Sequence, residues 1–293
     1  MNQMKNPVGV HALVWVGNTS PDEVEKAVES TKASGYDLLE LSLHDFKNLD
    51  TRAAKEALVK AGVGVACSRG LAFDADVSSD DRAVVARGEK ILQDSLAVTD
   101  QLGAKILTGA LYSALGKYSQ RLTETGRDNV VKVLRSLAQE AAGRGISLGL
   151  EICNRYETNV VNTAREALRL ADDIGEDNVF IHLDTYHMNI EESNFIQPVL
   201  DVGDRLGYVH IGENHRGYLG AGSIDFSSFF QALARVEYSG PITFESFSSA
   251  IVSETLSNDL AVWRNMWDDG HDLAKRARTF IDAHVAAAAN GER

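Results

Sequence analysis

The stretch SLGLEIC at residues 147–153 predicts a buried β-strand, and the stretch VFIHLD at residues 179–184 predicts the next one. A longer segment with the amphipathic pattern of a helix separates them. Two buried strands joined by a helix run parallel, because the crossover returns the chain to the same end of the sheet. This unit predicts a protein of the α/β class.

The same alternation extends over the whole chain. Eight apolar runs are each followed by a helical pattern, at residues 8–15, 36–43, 64–67, 105–111, 147–153, 179–184, 208–212 and 241–247. Eight βα units of this kind predict a closed (β/α)8 TIM barrel. Only 4 prolines occur and no Pro/Ser-rich linker interrupts the pattern, so we expect a single domain over residues 1–293. Its C-terminal helical tail is expected over residues 256–289, fraying at residues 290–291.

Local signals predict where several helices begin and end. Ser20 is expected at the N-cap of the first helix, with Pro21 in its first turn and Glu23 completing a capping box. Glycine commonly follows the last turn of a helix because it adopts positive φ without strain. Such glycines are expected at Gly35, Gly103 and Gly145.

Composition limits the class of protein. The 293 residues are 44% hydrophobic and 24% charged, which is typical of a globular chain. The net charge of −13 disfavours a nucleic-acid-binding protein, which needs clustered cations. Cys67 and Cys153 lie in apolar runs and indicate reduced core residues in a cytoplasmic protein. Residues 1–7 show no signal-peptide core, and no apolar run is long enough to predict a membrane span.

Ionisable residues interrupt the last four predicted strands. Glu151, Asp184, His210 and Glu245 each lie inside an apolar run, and successive positions are 33, 26 and 35 residues apart. A lone buried carboxylate is costly, and active sites of this barrel form at the carboxyl ends of its strands. We therefore expect these four side chains to converge at one mouth of the barrel.

Three carboxylates and one imidazole are ligands suited to a divalent cation such as Mn²⁺, Co²⁺ or Mg²⁺. The alternative for any one of these residues is a buried salt bridge or a hydrogen bond to a strand end. Four such residues on consecutive strands favour a metal site, with one ion per subunit.

Further candidate site residues lie near the same mouth. His187 can bind a substrate oxygen or the backbone, and Arg216 can hold a hydroxyl or carboxylate or lie on the surface. Glu157 can accept a hydrogen bond from a sugar hydroxyl or pair with a nearby arginine. His11 and Trp15 end the first strand, where an aromatic face suits a sugar ring and core packing is the alternative.

Four stretches carry a resemblance to a known family: GLEICNRYETNVVNT (149–163), HLDTYHMNIEES (182–193), YVHIGENHRGYLGAGSIDF (208–226) and PITFESFSS (241–249). They resemble the ketose 3-epimerases, xylose-isomerase-like barrels that include D-tagatose 3-epimerase and D-allulose (D-psicose) 3-epimerase. The resemblance runs from about residue 8 to residue 267 and is strongest to the D-allulose 3-epimerases. It implies a metal-dependent isomerase that epimerises free ketoses at C3.

The resemblance also implies roles for individual residues. It assigns the metal to Glu151, Asp184, His210 and Glu245, the acid/base pair to Glu151 and Glu245, and the substrate's O1–O3 region to Glu157, His187 and Arg216. It further implies a homodimer or homotetramer, with the wall near Trp263 and Trp267 as a candidate contact. Many members similar to D-tagatose 3-epimerase carry a Trp after the fourth strand that packs on the sugar, but residues 111–115 contain none. The resemblance therefore implies the chemistry and leaves the preferred sugar open.

Inversion at C3 of a ketose needs two bases, one on each face of a planar enediolate. D-Allulose/D-fructose, D-tagatose/D-sorbose and L-ribulose/L-xylulose are the candidate substrate pairs. An aldose–ketose isomerase is the nearest alternative, because it would move a proton between C1 and C2 on one face. A metal-dependent phosphodiesterase on the same barrel and a non-catalytic sugar-binding protein are the other two alternatives.

Overall fold

The eight strands of the barrel close in chain order. A computed structural model describes residues 6–291, and each strand pairs in parallel with the next, with the eighth returning to the first. The predicted (β/α)8 barrel is therefore confirmed. The predictions for the start of the chain and the outer limits of the domain involve residues 1–5 and 292–293, which lie outside the described residues.

The observed strands are mostly shorter than the apolar runs that predicted them. They are β1 Val8–His11, β2 Leu38–Ser42, β3 Gly64–Ser68, β4 Ile106–Thr108, β5 Ser147–Glu151, β6 Val179–Asp184, β7 Leu206–Ile211 and β8 Ile242–Phe244. Strand β4 ends early because Gly109 follows it with φ of 114°. A Cβ at Gly109 would lie 2.3 Å from the carbonyl oxygen of Arg69, so only glycine fits this turn.

Helices surround the strands. They are α1 Pro21–Ala33, α2 Thr51–Ala61, α3 Arg82–Leu102, α4 Glu124–Gly143, α5 Ala164–Ile174, α6 Thr185–Glu191, α7 Gln197–Val202, α8 Phe226–Arg235, α9 Glu254–Asp259 and α10 Gly270–Asn290. The helical tail predicted over residues 256–289 is present in two parts, because residues 260–269 separate α9 from α10. Ala261 in this segment has φ of 53°, and Asp269 starts α10 afresh by accepting bonds from two backbone N–H groups.

The helix-end predictions are confirmed in position but not in every contact. Ser20 is the N-cap of α1 and Pro21 opens the helix, but the Ser20 side chain makes no capping hydrogen bond, so the predicted capping box is wrong. A reciprocal capping box instead joins Thr163 and Glu166 at the start of α5. Positive φ angles occur as expected at Gly35, Gly103 and Gly145.

Polar residues concentrate inside the barrel toward the carboxyl ends of the strands. Glu40, Asp184 and His210 are almost fully buried there, among aliphatic residues of the barrel core. Cys67 and Cys153 are buried and unpaired, as expected. Among the described helices, none is both long enough and apolar enough to cross a membrane. The mouth where the buried polar groups meet is therefore the part of the fold that calls for a functional explanation.

Candidate metal centre and active site

Strands β5 to β8 bring four ionisable side chains together. The register pairs Asp184 with His210, while Glu151 ends β5 and Glu245 directly follows β8. The nearest ligand atoms of these four residues all lie within 4.8 Å of one another. The convergence at one mouth, which the strand-end spacing predicted, is therefore present in the structure.

His210 lies at the centre of this cluster. Its Nδ1 atom is 3.2 Å from Glu151 Oε1, 3.6 Å from Glu245 Oε1 and 4.0 Å from Asp184 Oδ2. Its Nε2 atom is 2.7 Å from Glu40 Oε2 on the other side of the ring. One imidazole therefore separates three clustered carboxylates from a fourth.

Burial and charge act in opposite directions on these groups. Burial raises the pKa of Glu151 to about 7 and the pKa of Asp184 to about 6. Burial also acts to raise the pKa of Glu245, but the positive charges of His210 and Arg216 lower it below its ordinary value. Burial acts to lower the pKa of His210, and the surrounding carboxylates raise it well above its ordinary value. The cluster as a whole thus favours additional positive charge.

Arg216 reaches the cluster from the loop after β7. Its Nη1 atom lies 2.6 Å from Glu245 Oε2 and 3.3 Å from Asp184 Oδ2, and its guanidinium lies over the ring of Tyr186. Its backbone has φ of 59°, which is uncommon for a residue with a Cβ. Glu213 supports this loop, because its buried carboxylate accepts hydrogen bonds from three backbone N–H groups, of Asn214, Gly220 and Ile224.

Glu157 and His187 are oriented by one asparagine. The Asn154 side chain donates to Glu157 Oε1 at 2.8 Å, and the Asn154 backbone N–H donates to His187 Nδ1 at 3.1 Å. Because Nδ1 accepts, the ring proton of His187 lies on Nε2, which is 3.6 Å from Asp184 Oδ2. Burial lowers the pKa of His187 well below its ordinary value, so this residue offers a neutral N–H donor.

Most of the predicted site residues line one pocket, namely His11, Glu151, Glu157, His187, His210, Arg216 and Glu245. Asp184 is fully buried, and its Oδ2 atom lies 4.0 Å from His210 Nδ1. Trp15 is not among the lining residues: it is buried, and its indole packs near the His271 ring at a centroid distance of 6.1 Å. Core packing, the alternative for Trp15, is therefore the role that its position supports.

Two buried residues of the mouth, Glu40 and His182, are not among the site residues that the sequence predicts. Glu40 interrupts the apolar strand β2 as Glu151 interrupts β5, so the same signal was present on a strand outside the last four. His182 lies two residues before Asp184 and shares its face of β6. Its Nδ1 atom is 2.8 Å from Thr108 Oγ1, and its ring centroid is 4.2 Å from that of His210. Both residues pack directly against the central imidazole.

Residues 111–115, which contain no tryptophan, place two side chains at the site. Tyr112 is fully buried and donates its hydroxyl to the carbonyl oxygen of Glu151 at 2.5 Å. Leu115, three residues later, lines the pocket. An aliphatic side chain therefore faces the pocket from this segment, and the tyrosine supports the end of β5 from behind.

The chain is similar to named sugar epimerases over nearly its whole length. Residues 28–282 match the family described as xylose isomerase-like TIM barrels. An L-ribulose 3-epimerase from Methylomonas sp. (strain DH-1) is 49% identical over 273 residues, which cover 93% of this chain and 96% of that protein. A ketose 3-epimerase from Arthrobacter globiformis is 46% identical, with 96% of this chain and 97% of that protein covered.

A solved structure agrees with these relatives. The crystal structure of a D-allulose 3-epimerase from Methylomonas sp. in complex with D-allulose matches with a TM-score of 0.94 and 47% identity, covering 96% of this chain and 98% of that one. Sequence, fold and strand-end residues thus point to the same group of enzymes. The protein belongs to the ketose 3-epimerases, carbohydrate epimerases of the isomerase class within the xylose isomerase-like TIM barrels.

Proposed function

We propose that this protein epimerises free ketoses at C3, using one divalent metal ion held by Glu151, Asp184, His210 and Glu245. The observation that carries the proposal is the presence of two glutamates, from β5 and from the end of β8, on the same buried imidazole. A two-base inversion at carbon needs two such groups beside one substrate position. A protein that only binds sugar has no need of them.

The donor set fits a divalent cation. Three carboxylates and one imidazole suit Mn²⁺, Co²⁺ or Mg²⁺ better than a thiolate-binding metal. Lone pairs converging in a buried space are stabilised by a cation between them. When bound, the ion would supply positive charge that polarises the ketose carbonyl.

Glu151 and Glu245 would share the proton transfers at C3. One glutamate, as the carboxylate, removes the C3 proton from its face of the sugar. The other, as the carboxylic acid, gives its proton to the opposite face of the planar intermediate. The roles of the two residues exchange with the direction of the reaction.

Arg216, His187 and Glu157 would orient the sugar. The first two offer N–H donors and the third offers a carboxylate acceptor, and all three line the pocket beside the cluster. A polyhydroxylated ligand needs donors and acceptors placed together in this way. We assign the O1–O3 region of the substrate to these three residues.

The proposed substrates rest on the names of the relatives and on the apolar residues that line the pocket. The relatives are named for L-ribulose and D-allulose, a ketopentose and a ketohexose. We propose the same two classes here, with D-fructose, D-tagatose and D-sorbose as further candidate ketohexoses. Phe247, Leu115 and Leu256 also line the pocket and supply apolar surface for the carbon skeleton.

A panel of free ketoses tests this function. Protein stripped of metal would be supplied separately with Mn²⁺, Co²⁺ or Mg²⁺, and the product sugars identified by chromatography. We expect C3 epimers to form with at least one of the three metals. An aldose as the main product would indicate the isomerase alternative, and hydrolysis of a phosphodiester would indicate the hydrolase.

We also propose a homodimer or homotetramer located in the cytoplasm. Of the two tryptophans in the predicted contact, Trp263 is 68% exposed and Trp267 is 5% exposed. The Trp267 indole donates to Ser246 Oγ at 2.8 Å within the subunit. The contact proposed at this wall therefore involves Trp263 and not the side chain of Trp267, and sedimentation of the protein and of Trp263→Ser tests it.

A further inference from the structure

Glu40 is hydrogen-bonded to His210, one of the four candidate metal ligands, and is not itself one of the four. It lies in the middle of β2, its side chain is fully buried, and its Oε2 atom is 2.7 Å from His210 Nε2. Strands β2 and β7 are not neighbours in the sheet, so this hydrogen bond crosses the interior of the barrel. The proposed function makes no use of this carboxylate.

The contacts of Glu40 determine which nitrogen of His210 carries the proton. Thr243 Oγ1 donates to the Tyr208 hydroxyl at 2.7 Å, and that hydroxyl donates to Glu40 Oε2 at 2.9 Å. The chain of donors therefore ends on Glu40, which acts as an acceptor. An acceptor 2.7 Å from His210 Nε2 requires the ring proton on Nε2.

The ring orientation has a direct consequence for the cluster. A cation binds His210 only in its neutral form. In that form the proton held on Nε2 leaves a lone pair on Nδ1, the ring atom that lies toward Glu151, Asp184 and Glu245. A ring that rotated or changed tautomer would present an N–H group to the cation instead. Carboxylates that hold a ligating histidine in this way also increase its basicity, and their loss weakens metal binding about 10- to 100-fold.

We propose that Glu40 is the positioning residue of the metal centre, fixing the tautomer and orientation of His210 through the Nε2 hydrogen bond. The proposal rests on the proposed metal site and adds to it a residue that acts through His210 and is not one of its four ligands. It also explains why a carboxylate is retained in the barrel interior, where an apolar residue would cost less to bury.

Metal binding, measured without substrate, tests this role. Glu40→Gln keeps the shape of the side chain but removes its charge, and Glu40→Asp keeps the charge but withdraws it from Nε2. Tyr208→Phe is the matched control, because it removes the other donor to Oε2 and leaves the bond to His210 in place. The dissociation constant for Co²⁺ would be measured by competition with a chelator, and the ligand field of the ion by visible absorption.

We expect Glu40→Gln to raise the Kd for Co²⁺ about 10- to 100-fold and to shift the Co²⁺ absorption bands. Glu40→Asp should also raise the Kd for Co²⁺. If the Gln variant does not fold, the Asp variant replaces it in the test. Tyr208→Phe should keep the wild-type Kd and spectrum.

Wild-type Kd and spectrum in a folded Glu40 variant would overturn the inference, as would equal weakening by Tyr208→Phe. Failure of the wild-type protein itself to bind any of the three metals would instead refute the proposed function. The two failures are therefore distinguishable.

Discussion

Arg216 Nη1 lies 2.6 Å from Glu245 Oε2, and this ion pair is enclosed at the edge of the carboxylate cluster. Glu245 is thus shared between the guanidinium on one side and His210 on the other. The positive charge of Arg216, close to the proposed ligands Glu245 and Asp184, repels a metal ion bound there. The N–H groups of the same guanidinium can donate hydrogen bonds to a sugar.

Replacing Arg216 by Met should separate these effects. The variant should bind Co²⁺ at least as tightly as the wild type, because a competing cation has been removed from Asp184 and Glu245. Its kcat/KM for ketoses should fall about 10²- to 10³-fold, because a preorganised donor to the substrate is lost. Chelator competition and steady-state kinetics measure the two quantities, with Arg276→Met, on the exposed face of α10, as the control. Weaker metal binding would mean that Arg216 holds the carboxylates in place.

Substituting each glutamate in turn tests the division of labour between them. Glu151→Gln and Glu245→Gln should each stop net epimerisation, because an amide can coordinate through oxygen but cannot move the proton. Each variant keeps one carboxylate, so each should exchange deuterium from solvent into C3 of one epimer, and the labelled epimer should differ between the variants. Deuterium NMR of recovered sugar, with metal content measured alongside, decides the outcome. Near wild-type epimerisation by either metal-loaded variant would contradict the two-base mechanism.

Removal of metal should abolish activity and leave the barrel folded. The apolar core around strands β1 to β8 does not include the cluster, so its stabilisation is independent of the ion. Circular dichroism before and after chelation should show the same helix content, while ketose turnover should vanish and return on addition of Mn²⁺, Co²⁺ or Mg²⁺. Full turnover by metal-free protein would exclude the metal assignment.

Free ketoses should be better substrates than ketose phosphates. The two arginines that line the pocket are already engaged, Arg216 with Glu245 and Asp184, and Arg69 with the carbonyl oxygens of Leu43 and His44. Burying a phosphate dianion without a free cation is costly, so kcat/KM should be lower by at least about tenfold for the phosphate of the same ketose. A higher kcat/KM for the phosphate would show that Arg69 leaves its carbonyl partners to bind it.

The N-cap residues of α1 and α5 should contribute unequally to the free energy of unfolding. Thr163→Ala removes a capping box from α5 and should lower the free energy of unfolding by about 1 kcal/mol. Ser20→Ala removes a side chain that makes no capping bond at α1, so its effect should be close to zero. Denaturant unfolding of the two variants and the wild type, each with metal removed, measures the difference. Equal losses would show that Ser20 caps α1 in solution.

The sequence by itself determined the features that depend on periodicity and spacing. Eight apolar runs separated by helical patterns predicted the barrel, since the order of parallel strands follows the order of the chain. Carboxylates and a histidine at the ends of the last four runs predicted the cluster around His210, because the carboxyl ends of all strands in a closed parallel barrel meet at one mouth.

Only the tertiary structure decided what depends on contacts across the barrel. Glu40 carries the same sequence signal as Glu151, but its partner His210 is 170 positions away, on a strand that is not its neighbour. Trp15 lies close in sequence to His11, yet a 3₁₀ turn at Ala12–Val14 directs it into the packing beneath α10. The first residue of α10 packs closely against the segment after β1, because a Cβ at Gly270 would lie 2.5 Å from the carbonyl oxygen of Val14. Side-chain periodicity reports which face of an element is buried, whereas the identity of the partner on that face is set by the closure of the barrel.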